Sequence, residues 1–149
     1  MIKDVIIDIK GEQGIDEDTD VIEFSTDGRY GFNNGEYFIS YNEGMLLDSE
    51  DTVKTKLFIK ADNSIVLHRS GSLNSKMLIE KGKRNTCFYS TPVGELVIGI
   101  FGDNINYNLN ETGGNITLKY TIDSDMRLIS RNCVNINIRE VNNNVNTCK

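Results

Sequence analysis

The feature that most constrains this chain is a series of strand-like segments joined by turn residues. Its clearest segment alternates apolar and polar side chains, with Ile116, Leu118, Tyr120 and Ile122 set against Asn115, Thr117, Lys119 and Thr121. A period of two is typical of a strand that has one buried face and one solvated face. The chain is therefore predicted to consist of antiparallel strands whose alternate side chains form a core.

The same pattern recurs along the sequence, and almost nothing in it indicates a helix. We predict strands at about 2–11, 20–27, 36–42, 52–60, 64–71, 75–81, 85–91, 95–101, 104–110, 115–123 and 127–139, with 95–110 as one long bent strand in the alternative. The predicted turns between them are Asp27-Gly28, Asn34-Gly35, Asp62-Asn63, Lys81-Gly82-Lys83, Pro92-Val93-Gly94, Gly102-Asp103-Asn104, Gly113-Gly114 and Asp123-Ser124-Asp125. Connections this short join antiparallel neighbours and leave no room for crossover helices.

Closure of the sheet is the expected architecture. An open sheet of so many strands has two exposed edges, whereas a closed antiparallel up-and-down barrel of about 8–10 strands has none. A two-sheet sandwich is the structural alternative. A length of 149 residues fits a single domain. We place that all-β domain at 1–140 and predict that the polar, aperiodic stretch 141–149 is a disordered tail.

Charge and composition exclude several classes of partner. The formal net charge is −6 and the basic residues form no long block, so duplex nucleic acid would be repelled. No apolar run is long enough to span a bilayer, and residues 1–8 have the pattern of a first strand rather than a signal peptide. We therefore expect a cytoplasmic protein that does not attach to membranes. One histidine and three scattered cysteines form no standard metal site, and no cofactor is predicted.

Several short segments, taken in order, resemble a known family. They are Val21-Ile22-Glu23-Phe24, Tyr37-Phe38-Ile39-Ser40-Tyr41, His68-Arg69-Ser70-Gly71, Met77, Gly82, Pro92-Val93-Gly94-Glu95-Leu96 and the strand from Gly114 to Asp123. In this order they resemble the YwiB-like family of uncharacterised bacterial proteins, over roughly residues 2 to 139. The resemblance implies a calycin, a lipocalin-type β-barrel that forms a single domain. It implies no activity, substrate or catalytic residues, because the family has none established.

Arg69 is the first candidate site residue. Strand alternation places it on the same side as Ile65 and Leu67, which is the predicted interior. A buried guanidinium is costly unless it is paired or hydrogen-bonded. Its forked donors suit the carboxylate of a small apolar or amphipathic anion, which would make this a ligand-binding barrel. The alternative is structural, with Arg69 closing the barrel end through backbone carbonyls or an aromatic ring.

Four tyrosines complete the predicted ligand-binding set. Tyr37, Tyr41, Tyr89 and Tyr120 each combine an apolar ring with one polar tip, a mixture that small-molecule pockets favour. Barrels of this size either fill with side chains or hold one small ligand. Packing in the core or at the rim is therefore the alternative role of these residues. The alternation does not decide which way Tyr89 faces.

Two other functions stay open at this stage. The first is a protein-interaction or structural module with a filled barrel, of which a homodimer is one form. In this module Phe58, Phe88 or Phe101 forms an outer apolar patch. The second is an enzyme without metal or cofactor, although no catalytic residues are predicted. His68, the single histidine, is expected on the outer face and has no carboxylate positioned to orient it.

Overall fold

The barrel is made of strands that follow one another along the chain. The computed structural model describes residues 2–15, 18–42, 53–71, 74–91 and 94–141, and at 89–91 it describes the backbone alone. Ten strands occur in these residues: β1 Ile2–Ile15, β2 Asp18–Asn33, β3 Glu36–Asn42, β4 Val53–Ile59, β5 Ile65–Gly71, β6 Asn74–Ile79, β7 Arg84–Thr91, β8 Gly94–Asn110, β9 Gly113–Ser124 and β10 Arg127–Glu140. Of the predicted tail, 141–149, residues 142–149 lie outside the described residues.

The sheet closes on itself. Each strand pairs antiparallel with the next along the chain, and β1 pairs with β10 to complete a barrel. The closing register runs from Val5 opposite Glu140 to Gly14 opposite Arg131. The predicted up-and-down barrel is therefore confirmed, and the sandwich alternative is wrong, because a single ring of hydrogen-bonded strands contains every element.

Two glycines predicted to lie in turns lie within strands instead, away from the strand ends. Gly28 is in the middle of β2, where an added Cβ would collide with the Ile7 side chain and the Ser40 carbonyl oxygen. Gly102 is in β8, beside a register shift between Gly102 and Asn104. Both glycines allow neighbouring segments of the backbone to approach closely, and neither reverses the chain direction. The alternative of one long bent strand is therefore the correct one for β8.

The turn between β2 and β3 is as predicted. Asn34 and Gly35 connect the two strands and have φ angles of 53° and 80°. Two successive residues with positive φ match a tight hairpin turn whose twist follows that of the strands. The hairpin of β2 and β3 is therefore specified locally by its sequence.

The interior is packed with side chains. Its fully or nearly buried apolar residues are Val5, Ile7, Ile9, Tyr30, Ile39, Tyr41, Leu57, Ile59, Ile65, Leu67, Met77, Ile79, Cys87, Ile98, Ile100, Ile116, Leu118, Tyr120, Ile136 and Ile138. One void of about 130 Å³ among Tyr30, Leu57 and Ile116 admits no water molecule. This part of the barrel is a close-packed core and offers no room for a ligand.

One end of the barrel is closed by tyrosines, and we call it the tyrosine end. The Tyr30 hydroxyl donates to the carbonyl of Asn110 at 2.7 Å. The rings of Tyr30 and Tyr37 stack with centroids 6.1 Å apart, and Tyr107 donates to the Asn63 side chain. These phenols join β8 to β2, β3 and the turn after β4, which are not neighbours of β8 in the sheet.

Candidate functional site

Arg69 belongs to a row of polar residues on the inner face of the barrel. The pairing register sets Tyr41 opposite Thr55, Thr55 opposite Arg69, and Arg69 opposite Ser75. Thr55, Ser75 and Tyr41 are 0%, 6% and 8% exposed. Arg69 itself is half-buried and its Nε atom is fully buried. We call Tyr41, Thr55, Arg69 and Ser75 the polar row, and its inward position agrees with the predicted alternation.

The polar row has both satisfied and unsatisfied groups. Tyr41, Thr55 and Arg69 each have an interaction partner within the chain. The buried Oγ of Ser75 has no hydrogen-bond partner in the part of the chain that the structure describes. A buried hydroxyl in this state costs free energy, and a bound acceptor or water would recover it. Residues 43–52, 72–73 and 92–93, which follow β3, β5 and β7 in the sequence, lie outside the described residues.

An apolar layer lies directly beneath the polar row. Leu57, Leu67 and Met77 are paired across β4, β5 and β6, and each is at most 5% exposed. At the side of the row, the ring of Phe24 lies 6.3 Å from that of Tyr41. A ligand at Arg69 would therefore meet a packed floor after one layer of side chains, so only a short apolar portion could enter.

The structure brings together only part of the predicted tyrosine set. Tyr41 lies in the polar row, whereas Tyr37 lies four residues earlier in β3, about 13 Å along the strand. The Tyr37 hydroxyl donates to the Leu109 carbonyl at 3.4 Å, so this residue belongs to the tyrosine end. Tyr120 is buried on β9, which is four strands away from β5 around the sheet.

Tyr89 is placed by its backbone alone. It pairs with Ser75 across β6 and β7, which puts it next to the polar row in the register. Its side chain lies outside the described residues, so its orientation stays open. The polar row thus has four described members, and Tyr89 occupies the next register position.

Two members of the polar row were not singled out from the sequence. Thr55 shares a strand face with Leu57 and Ile59, and Ser75 shares one with Met77 and Ile79. The alternation that identified Arg69 therefore carried the same signal for both hydroxyls. They are small and neutral, and so they did not stand out as a charge on an apolar face does.

Among the described residues, the remaining reactive side chains do not form a second centre. His68 is exposed on the outer face, as predicted. Burial raises the pKa of the Cys87 thiol, which donates to the Lys76 carbonyl at 3.1 Å, so this cysteine is an unreactive core residue. Within the described residues, no group of three potential metal ligands occurs and no helix is long and apolar enough to cross a membrane.

A polar groove of about 620 Å³ lies on the outside of β1, β2, β9 and β10. Asp8 is its central charge and accepts hydrogen bonds from Arg139 at 3.0 Å, from Asn137 at 3.4 Å and from Ser25. The hydrogen bonds from Arg139 and Ser25 hold the pKa of the Asp8 carboxyl below its usual value. These groups satisfy one another, and the groove is open to solvent, so we regard it as surface structure.

Comparison with known proteins identifies the family. Residues 7–136 match the model of a family described as a domain of unknown function, DUF1934. The chain belongs to this family. Among curated relatives, the DUF1934 chain is 28% identical over 106 residues to the uncharacterized β-barrel protein YwiB of Bacillus subtilis (strain 168), covering 70% of this chain and 71% of the relative. The predicted YwiB-like membership is confirmed.

A solved structure supports the same fold. The crystal structure of YwiB protein from Bacillus subtilis superposes with a TM-score of 0.81 at 21% identity, covering 93% of the DUF1934 chain and 92% of the other chain. At this identity the likeness establishes the fold alone. The β-barrel is therefore shared with YwiB.

Proposed function

We propose that this DUF1934 barrel is a cytoplasmic binding protein that takes a small amphipathic anion at the Arg69 end. The observation that carries the proposal is the polar row, where a half-buried guanidinium stands between two buried hydroxyls. In this arrangement Arg69 would hold a carboxylate with two parallel hydrogen bonds, and the Ser75 hydroxyl would donate a third. No metal or cofactor takes part.

The packed floor sets the size of the ligand in this proposal. Leu57, Leu67 and Met77 close the space below the polar row, so a long acyl chain would not fit downwards. A short or medium apolar tail would lie sideways against Phe24 and Tyr41, whose rings are adjacent. We therefore propose short carboxylic acids as ligands, in preference to the long fatty acids that an empty barrel would accept.

Thermal unfolding in the presence of a homologous series tests this function. Sodium butyrate, hexanoate, octanoate and decanoate are compared with the matching alcohols on wild type, Arg69→Gln and the control Lys119→Gln, an exposed residue of β9. At about ten times Kd, binding adds roughly 1.4 kcal/mol and raises Tm by about 3–6 °C. We expect this rise for the acids in wild type and control, and its loss in Arg69→Gln. Equal behaviour of all three proteins would refute the site.

A second candidate function is a protein-interaction module with a filled barrel, which includes the predicted homodimer. Two observations favour it: the close-packed interior and apolar side chains on the outer face, where Phe88 is 62% and Phe101 36% exposed. Light scattering over a hundredfold range of protein concentration tests the homodimer. A constant monomer mass would contradict it.

A further inference from the structure

An apolar row crosses the outer face of β3 to β6. The register sets Phe38 opposite Phe58, Phe58 opposite Val66, and Val66 opposite Leu78. The two phenylalanine rings lie 6.3 Å apart, and Leu78 at the end of the row is 38% exposed. Four apolar side chains in one line on the solvent side are more than isolated surface residues and form a continuous patch.

A basic row lies beside this patch, one step along the same strands. Lys56, His68 and Lys76 are exposed and opposite one another in register, and Lys54 follows Lys56 on the outer face of β4. In the described part of the chain none of these four side chains takes part in an ion pair. We call the apolar row together with Lys54, Lys56, His68 and Lys76 the basic–apolar face.

The far end of the β1–β2 hairpin has the opposite charge. Residues 18–23 of β2 are all exposed, and Val21 and Ile22, on opposite faces of the strand, are 52% and 58% exposed. Asp18, Asp20 and Glu23 lie in the same stretch, and Glu12 pairs with Val21 across the hairpin. No described residue forms an ion pair with these carboxylates. We call Glu12 and 18–23 the acidic hairpin end.

We propose that the acidic hairpin end of one copy docks on the basic–apolar face of a second copy. This inference rests on the second candidate function and names its surface. Ile22, on the strand face that Asp18 and Asp20 share, would leave water against Phe58 and Val66, while these carboxylates would meet the lysines of the basic–apolar face. Both halves of the contact are present on every chain, so a copy of the same protein supplies the complementary chemistry.

Charge argues against the symmetrical alternatives. Two basic–apolar faces placed together bring lysines towards lysines, and two hairpin ends placed together bring carboxylates towards carboxylates. Like charges repel in both arrangements, and the net charge of −6 on each chain adds to the repulsion. The hairpin-to-face contact pairs opposite signs and is heterologous, because two different surfaces meet. Such a contact closes into a reciprocal pair or ring, or else continues into longer assemblies.

Sedimentation velocity of designed charge reversals tests the proposal. We expect wild type to associate as concentration rises, and less so at high salt. Lys56→Glu with Lys76→Glu, and separately Asp18→Lys with Asp20→Lys, should each weaken association about tenfold or more. A mixture of the two double variants should restore association, since each then carries an intact partner for the other.

The controls separate this contact from general charge effects. Lys81→Glu with Lys83→Glu adds the same negative charge at the turn after β6, outside the residues of the basic–apolar face, and should leave association unchanged. The aspartate reversals bring the chain closer to neutrality, so non-specific repulsion predicts more association, which is opposite to our expectation. Circular dichroism and Tm of each variant confirm that it is folded.

The outcomes are distinguishable. A wild-type monomer at every concentration would overturn this inference together with the homodimer as a function. Association that neither double variant weakens would overturn the proposed surface and leave the homodimer standing. Loss in both variants without restoration in the mixture would also overturn the pairing of hairpin end with face.

Discussion

At the scale of single residues, Tyr30 shows how one phenol stabilises a barrel end. Its ring is fully buried and its hydroxyl donates to the carbonyl of Asn110 on β8. Burial, and to a smaller extent the nearby Tyr37, raises the pKa of Tyr30 to about 12. The folded protein therefore strongly prefers the neutral phenol, which alone can donate this hydrogen bond.

The stability contributed by Tyr30 should depend on alkaline pH. The pKa of a tyrosine in the unfolded chain is about 10. Because the folded value is higher, the contribution is fully present below pH 10 and is lost progressively towards pH 12. Tyr30→Phe should cost about 0.5–1.5 kcal/mol at pH 7, and its deficit should shrink as the pH rises past 10. Urea unfolding at pH 7, 10 and 11 measures this, and a constant deficit would contradict it.

Gly99 and Arg84 are a second case in which a stabilising contact involves single residues. The Arg84 guanidinium lies over Gly99 and binds both oxygens of Asp123, at 2.6 and 2.9 Å. An added Cβ at Gly99 would occupy the position of that guanidinium. The hydrogen bonds from Arg84 also hold the pKa of the Asp123 carboxyl below its usual value. In this ion pair the guanidinium uses the space that the missing side chain of residue 99 leaves.

Gly99→Ala should therefore weaken the ion pair and its pH dependence. A carboxyl with a lowered folded pKa stabilises the protein above its unfolded pKa, near pH 4, and loses this effect as pH falls through the folded value. We expect Tm to fall by about 2–4 °C at pH 7, and by less at pH 3. Gly11→Ala is the matched control, because its Cβ would contact nothing within 4 Å. An equal loss in both variants would show that strand propensity, not Arg84, is responsible.

At the scale of elements, the bend of β8 depends on its contact with the turn after β6. The Gly102 carbonyl accepts a hydrogen bond from the amide of Gly82 at 2.8 Å, and a Cβ at Gly102 would collide with the Glu80 carbonyl. Because that neighbour is backbone, it cannot rotate away. The β-bulge at the register shift between Gly102 and Asn104 and the turn after β6 are therefore complementary in shape.

Gly102→Ala should destabilise the barrel by about 1–3 kcal/mol, since overpacking against backbone forces a shift of β8 or of the turn. Guanidinium unfolding of this variant and of the neighbouring exposed control, Asp103→Ala, measures the effect. The control should stay within about 0.5 kcal/mol of wild type. If Gly102→Ala were equally mild, the bulge would be more adaptable than its geometry indicates.

The elements also show what sequence reasoning can reach. Alternation predicted the inward position of Arg69 and the outward position of His68, because parity within one strand is a local property. It misplaced Gly28, since glycine serves both turns and close packing, and only the neighbouring Ile7 distinguishes the two. It grouped Tyr37 with Tyr41, although the two side chains face opposite ends of the barrel. The two residues share a strand face, and alternation carries no information about distance along that face.

At the scale of the whole molecule, successive residues of each strand face in turn the packed interior and the outer surface of the barrel. Leu57 is 2% exposed within the core, whereas its neighbour Phe58 lies half-buried in the outer apolar row. The same strand therefore contributes to folding with one face and presents an apolar surface with the other. Substitutions at adjacent positions should have separable consequences.

Leu57→Ala should cost about 2–5 kcal/mol of unfolding free energy, because it leaves a cavity in a close-packed core. Phe58→Ala should cost less, since part of its ring already contacts water, and it should weaken self-association instead. Urea unfolding and sedimentation of the two variants measure both effects. Equal losses of stability would show that the outer row is part of the folding core.

The pairing of β1 with β10 has a consequence for how the protein is made. The first strand of the barrel acquires its second neighbour only when the last one is available, so ring closure joins residues far apart in sequence, such as Val5 and Glu140. A ribosome must release β10 before the barrel can form, and contacts of this range fold slowly. Until then, the growing chain exposes an unpaired edge of β1 to the cell, where chaperones or neighbouring chains can reach it.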